Sequence, residues 1–272
     1  MFVDPAPPAG HPAAIAFWNL RRGLYAGGST VWLTTDGGHN FRVVLRARRQ
    51  VTGLQAFGDR DAIVDLKRPA ALRTLDGGRS WRRFQYRYNA DFATPRVALG
   101  FRAGRFEFVQ GLRVTSDEGA SWQRRRSPCT RAVSFSAAVE LVTPELGWIV
   151  CAGQPGAGQQ AKAVYRTTNA GRAWRRAAGR LSWSGYVWGA AFARDGFGLI
   201  WESRGTLYLT RDGGTHWVAK PRLARPEIDF GGGGAAFGGG QAVVLLSRGD
   251  GGARLLATRN YGSTWRLMHR WR

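Results

Sequence analysis

Six Asp or Asn side chains recur at matching places along this 272-residue chain: Asp36, Asp76, Asp117, Asn169, Asp212 and Asn260. A row of carboxylates invites two kinds of chemistry, cation binding and general acid–base work. Each of the six, however, sits in the same eight-residue pattern, Thr-x-Asx-x-Gly-x-x-aromatic, which ends in Phe41, Trp81, Trp122, Trp174, Trp217 or Trp265. In that setting an Asx side chain accepts backbone N–H groups just ahead of it and closes a turn. The Gly two positions later tolerates positive φ, the Thr suits the end of an incoming strand, and the aromatic ring anchors the turn on a sheet. Two of the six are Asn, which cannot serve as an acid. Turn closure explains all six, so they read as structural and neither catalytic nor metal-binding.

The remaining chemistry-bearing residues are few. His11, His39, His216 and His269 show no metal-ligand spacing, and no Ser-His-Asp arrangement is legible. No catalytic residue, metal site or cofactor is expected. Cys129 and Cys151 are the only cysteines and fall in one repeat, on its first and second strands. Their pairing in a disulfide is the favoured reading, over two buried free thiols, and points to an oxidising, extracytoplasmic compartment. The first residues, Met1-Phe2-Val3-Asp4-Pro5, lack the basic and apolar regions of a signal peptide, and no run is long enough to span a membrane.

The charge is lopsided, +22 from 40 basic and 18 acidic residues, and only Lys67, Lys162 and Lys220 are lysines. An arginine-rich coding bias and a functional basic face explain this equally well. Many arginines follow the box aromatic, as Arg82-Arg83 and Arg175-Arg176 do. Charge on an outer strand discourages edge pairing, which suffices for these. Arg21, Arg22, Arg102, Arg105, Arg204 and Arg248 lie near inner-strand loops instead. There they could converge on one rim and take an anionic partner. Trp183, Tyr186 and Trp188 cluster at the entry to the fifth repeat. Core packing is the commoner fate of such rings, and stacking on a sugar or peptide is the functional alternative.

The elements that must position these groups follow from the repeat. Thr to Thr, the boxes are 40, 41, 52, 43 and 48 residues apart. Around each lie four short apolar runs, such as Ile15–Trp18, Gly23–Ala26, Val31–Thr34 and Phe41–Leu45. Gly is abundant, at 38 residues, and helix signals are sparse. Four strands per repeat of this length predict an all-β fold, a β-propeller of four-stranded antiparallel blades. Six blades are expected, or seven if an N-terminal blade is missing. The box becomes the turn between the third and fourth strands. A Pro-rich segment, 1–14, precedes a single propeller domain, 15–272.

These boxes resemble the Asp-box (BNR) repeat superfamily, which includes sialidases, sortilin-type domains and photosystem II assembly-factor-like proteins. The compact blades and runs such as Leu207-Tyr208-Leu209-Thr210-Arg211-Asp212-Gly213-Gly214 are most similar to the last group. That resemblance implies a monomeric, non-catalytic scaffold for a protein or peptide partner. A carbohydrate- or anionic-polymer-binding module is the alternative; nucleic acid is not favoured. A sialidase-like hydrolase is a weaker reading. Leu20-Arg21-Arg22-Gly23 stands where that family has Arg-Ile-Pro, and carboxylates off the boxes are scarce, Glu107, Glu202 and Asp250 being the more plausible ones.

Overall fold

The computed structural model describes residues 14–67, 70–85, 89–103, 109–130, 133–203, 206–220, 223, 233–247 and 252–271. Twenty-four strands form six four-stranded antiparallel sheets, with no α-helix among the described residues. Sheet one is β1 (Ala14–Phe17), β2 (Gly23–Gly27), β3 (Thr30–Thr34) and β4 (Arg42–Arg46). Sheet two is β5 (Val51–Phe57), β6 (Asp61–Leu66), β7 (Ala70–Thr74) and β8 (Arg82–Phe84). Sheet three is β9 (Asn89–Phe92), β10 (Ala98–Ala103), β11 (Val109–Thr115) and β12 (Gln123–Arg124). Sheet four is β13 (Ser136–Leu141), β14 (Gly147–Ala152), β15 (Lys162–Thr167) and β16 (Arg175–Arg176). Sheet five is β17 (Val187–Phe192), β18 (Gly198–Glu202), β19 (Leu207–Thr210) and β20 (Val218–Lys220). Sheet six is β21 (Gly234–Phe237), β22 (Gln241–Ser247), β23 (Ala253–Thr258) and β24 (Arg266–Trp271). In every sheet the strands lie side by side in chain order. This is a six-bladed β-propeller.

The burial of each strand follows its composition. The second strands are near-continuous apolar runs, and β14 and β18 are buried along their whole length. A strand covered on both faces needs that pattern. Five of the six fourth strands carry Arg, β20 having Lys220 instead, and β12 and β16 are exposed along their length. The box aromatics stand one residue before these strands rather than starting them, because the box turn is still closing there. Cys129 likewise precedes β13 instead of lying on it.

The contacts divide the chain into two compact units. One spans Met1–Tyr86, Glu227–Ala235 and Gly240–Arg272, the other Arg87–Pro226 and Ala236–Gly239. In the first unit, Leu24, Val31, Leu33, Val51, Ala62 and Val64 make a shared core of sheets one and two. On the other side of sheet one, β24 brings His269 and Trp271 against Tyr25 and Phe41, with Tyr25 and Trp271 stacked 5.1 Å apart. The first and sixth sheets are therefore direct neighbours. In the second unit, Trp148 stacks on Phe192 at 4.7 Å between sheets four and five.

Candidate functional site

The sheet topology gives every blade two ends. The first-to-second and third-to-fourth strand turns lie at one, which carries the boxes. The second-to-third turn and the linker to the next sheet lie at the other.

At the box end the six Asx side chains are fully engaged. In each box the Thr hydroxyl donates to the Asx Oδ1, at 2.7–3.0 Å. The same hydroxyl oxygen accepts from the N–H of the box Gly, at 2.7–3.0 Å. Oδ1 also accepts from the N–H just before the aromatic, at 2.8–3.0 Å. One amide or carboxylate oxygen does the work, so Asn replaces Asp without loss of the turn. The Ser80 and Ser121 hydroxyls first, and then these donors, hold Asp76 below the usual carboxylate range and Asp117 at about 2; against desolvation, the donors of their own boxes also hold Asp36 and Asp212 low. The Thr side chains are buried to 1–2 % exposure. Their hydroxyl role exceeds the strand-end fit that β-branching suggests.

A second clip was not legible in the sequence. The N–H of the box's fourth residue donates to a carbonyl in the first-to-second strand turn of its own blade. The pairs are Gly37 to Arg21, Gly77 to Arg60, Glu118 to Arg96, Ala170 to Glu145, Gly213 to Gly196 and Tyr261 to Gly240. These fourth residues all hold positive φ, three of them as non-glycines at 57–64°.

Arg21 and Arg22 therefore belong to the box end, because the turn that carries them is the one clipped to the first box. They cannot share a rim with loops at the opposite end of their blade. The Arg22 guanidinium lies 5.0 Å over Trp18 and donates through Nη2 to the Gly77 carbonyl at 3.3 Å. Desolvation, then the charges of Arg60, Arg79 and Arg42, lowers its pKa. Arg102 sits on β10 opposite Gln110. Arg105, Arg204 and Arg248 lie outside the described residues, as do Glu107 and Asp250.

At the linker end, Cys129 and Cys151 form a disulfide with Cα atoms 5.4 Å apart, which ties the segment before β13 to β14. Nearby in the same unit, three segments converge on a buried ion pair. Lys162 Nζ lies 2.9 Å from Glu202 Oε1, with both side chains fully buried. The ammonium also donates to the carbonyls of Ser182 and Ser184, at 2.8 and 3.0 Å. Burial pushes the Glu202 carboxyl up to about 7, although Lys162 pulls the other way. Gln160 completes the brace. Its N–H donates to the Trp183 carbonyl, its Nε2 to the Gly153 carbonyl, and its Oε1 accepts from Val187 N–H. The Tyr186 hydroxyl accepts from Gly158 N–H, and its backbone is tied to Ser203 on both sides.

On this braced ground Trp183 and Trp188 point outward, 64 % and 60 % exposed. Core packing is not their fate. Trp183 occupies the linker between flanking carbonyls held by Lys162. Trp188 is the extra residue of a bulge in β17, between the Val187–Glu202 and Gly189–Trp201 pairs. A bulge re-aims a side chain in this way. Lys162 and Gln160 are supports of this linker that sequence reasoning missed; the signal was a Lys in an otherwise arginine-only neighbourhood.

One more pair stands apart. In register, the residue before the last of the first strand is Ala16, Ala56 and Ala191 in sheets one, two and five, but Asp91 and Glu140 in sheets three and four. Desolvation raises both carboxyl pKa values, and the charge of Asp91 raises Glu140 further. Leu141 N–H donates to Asp91 Oδ2 at 2.5 Å. Among the described residues no group of three or more His, Cys, Asp or Glu could hold a metal ion. Nor is any helix long and apolar enough to cross a membrane.

The architecture and its two loop-bearing ends define the class of protein, a six-bladed propeller. Solved structures agree with that class. A YCF48 from Cyanidioschyzon merolae is 16% identical with a TM-score of 0.55, over 97% of this chain and 86% of that one. A YCF48 bound to a D1 peptide is 18% identical, TM-score 0.50, over 96% and 82%. A GH74 xyloglucanase from Xanthomonas campestris is 18% identical, TM-score 0.54, over 94% of this chain but 47% of its own. No protein-family model matches the chain, and no curated protein matches it in sequence.

Proposed function

We propose that the protein is a non-catalytic propeller scaffold that binds a peptide segment of a partner protein at the linker end of its fifth sheet. The observation that carries this is the exposure of Trp183, on the linker, and Trp188, on the β17 bulge, two large indoles left in water beside a buried ion pair. Exposed aromatics on a rigid support lose little freedom on binding, which favours their use as anchors. A solved YCF48 of similar fold is bound to a D1 peptide, and the resemblance of the box repeats to those of assembly-factor-like proteins supports a peptide partner here. The disulfide supports an extracytoplasmic setting. The non-catalytic reading is supported by the carboxylates themselves: the box Asx groups are consumed in turns and Glu202 is committed to Lys162.

The test is affinity capture with the full chain and with a Trp183→Ala/Trp188→Ala double variant, beside hydrolysis assays on a sialoside and on xyloglucan. A partner recovered by the native chain and lost by the variant, without turnover, is the expected result. Turnover abolished by Asp91→Asn would overturn the non-catalytic reading. Equal partner recovery by both chains would remove the site from sheet five.

A further inference from the structure

Arg22 stands where no other blade keeps a base. Its place in register is one residue before the partner of the box Thr. The other five sheets put Asp61, Val97, Leu146, Phe197 and Gln241 there. Val97 and Leu146 pack against neighbouring cores, and Phe197 is fully buried. A coding preference that turns Lys into Arg does not turn an apolar place into a basic one. The guanidinium is also held in position. It lies over Trp18, whose indole N–H donates to the Asp61 carbonyl at 2.8 Å, and its Nη2 donates to the Gly77 carbonyl. A Cβ at Gly77 would collide with that Nη2, so the group sits directly on the glycine of the second box. Its Nε is shut off from water, and neither Nε nor the remaining Nη hydrogens find an acceptor among the described residues. Donors stripped of water and left idle are costly.

Three more arginines meet it at the box end of sheets one and two. Arg60 is the residue whose carbonyl takes the Gly77 N–H, Arg79 follows two places on in the same box, and Arg42 opens β4 just past the first box. All three are exposed, and theirs are the charges felt at Arg22. None of the four makes an ion pair among the described residues. The carboxylates close by are engaged elsewhere. Asp36 and Asp76 close their boxes, and the Asp61 carboxyl, raised by desolvation, feels Arg73. Asp59, exposed beside Arg60, answers one charge of the four. Like charges gathered this way repel one another as they stand. A carboxylate, with one charge and two oxygens in a plane, suits a single guanidinium fork. A tetrahedral dianion turns its oxygens in several directions. That matches donors arriving from the β1–β2 turn, β4, the β5–β6 turn and the second box.

We propose that Arg22, Arg42, Arg60 and Arg79 form a binding site for a doubly charged tetrahedral oxyanion, sulfate or phosphate, free or as a terminal phosphate monoester. Arg22 is the anchored contact, and the three exposed side chains close on the anion from around it. The site shares no residue with Trp183 and Trp188, which belong to the other compact unit, and it does not rest on the peptide reading.

The test is titration calorimetry of the full chain at about pH 8, where phosphate is doubly charged, and at fixed ionic strength. The probes are sulfate, inorganic phosphate, glycerol 1-phosphate and acetate. Sulfate and phosphate should bind saturably at one site, and acetate about 10-fold more weakly or worse. Arg22→Leu brings in the residue type that sheet four has at this place, so the fold should hold and the melting temperature should not fall. It should weaken both dianions by about 10-fold, the scale of one lost charge-assisted contact. Arg60→Ala/Arg79→Ala, on exposed side chains, should do the same. Arg48→Ala/Arg49→Ala removes equal charge from exposed arginines at the linker end of sheet one. It should change affinity by less than about 2-fold, because salt screens charge at that remove. Equal losses in this control and in the site variants would overturn the proposal, since the anion would then answer only to net charge. Acetate binding as tightly as sulfate, dianion affinity untouched by the site variants, or no binding of any dianion would overturn it as well. Glycerol 1-phosphate that matches inorganic phosphate supports the site as one for an esterified phosphate. Its failure where the free ions bind supports a site for the ion itself.

Discussion

A box hydroxyl and a box carboxylate look interchangeable in a sequence pattern, yet the structure ranks them. The Thr34 Oγ1 serves Asp36 Oδ1 and the N–H of Gly38 at once, from a position with almost no access to water. Removing it strands a buried donor. Thr34→Val, nearly isosteric, should therefore cost about 1–3 kcal/mol in denaturant unfolding. Asp36→Asn should cost much less at neutral pH, because Asn169 and Asn260 run the same turn with the same atom. If the two variants unfold alike, the hydroxyl is not the keystone. The fourth sheet supplies the reverse case. Five boxes carry a side chain that reaches back to the Asx group: Asn40, Ser80, Ser121, His216 and Thr264. Ala173 at that place cannot. Ala173→Thr should add the missing bond, as Thr264 accepts from Asn260 Nδ2, and raise stability by about 0.5–1 kcal/mol. No gain in the midpoint of unfolding would mean that water already fills the role.

The strands, their order and the turn that each box makes were legible from apolar runs and box spacing, because a four-stranded repeat writes a period into the chain. Two element-level features were not. The clip from box to neighbouring turn is a backbone bond, and backbone bonds leave no residue signature. The outward turn of Trp188 depends on a one-residue bulge, and register is invisible until the partner strand is known. The same limit misplaced Arg21 and Arg22: their sequence neighbours are inner-strand residues, but the end of the blade is set by which turn they occupy. The disulfide also acts on this scale. It joins a strandless linker to the fully buried β14 across 22 residues of chain. Loss of its constraint on the unfolded chain should lower stability by about 2–4 kcal/mol in a Cys129→Ser/Cys151→Ser variant. A melting curve unchanged by both the variant and a reductant would show that the linker is held by packing alone.

For the whole molecule, the titrating groups pull in opposite directions with pH. The box carboxylates and His269 have folded pKa values below their unfolded ones. Their contribution is present above the unfolded pKa and is lost as pH falls, below about 4 for the Asp groups and below about 6.5 for His269. Asp91, Glu140 and Glu202 have folded pKa values above their unfolded ones, with burial as the first cause in each. Their contribution is complete below about pH 4 and is lost as pH rises through the folded values, near 7 for Glu202. Stability should therefore peak in mildly acidic solution and decline toward pH 8, with Asp91 and Glu140 driving the decline because among the described residues neither has an ion-pair partner of the kind that Lys162 gives Glu202. Asp91→Asn keeps an oxygen for Leu141 N–H and removes one of two charges forced together. Melting followed from pH 4 to pH 8 should show the variant gaining on the native chain as pH rises, and matching it in acid, where Asp91 is already neutral. Parallel curves would mean that the two carboxyls never compete for one proton, and the alkaline decline would then have to come from Glu202 alone.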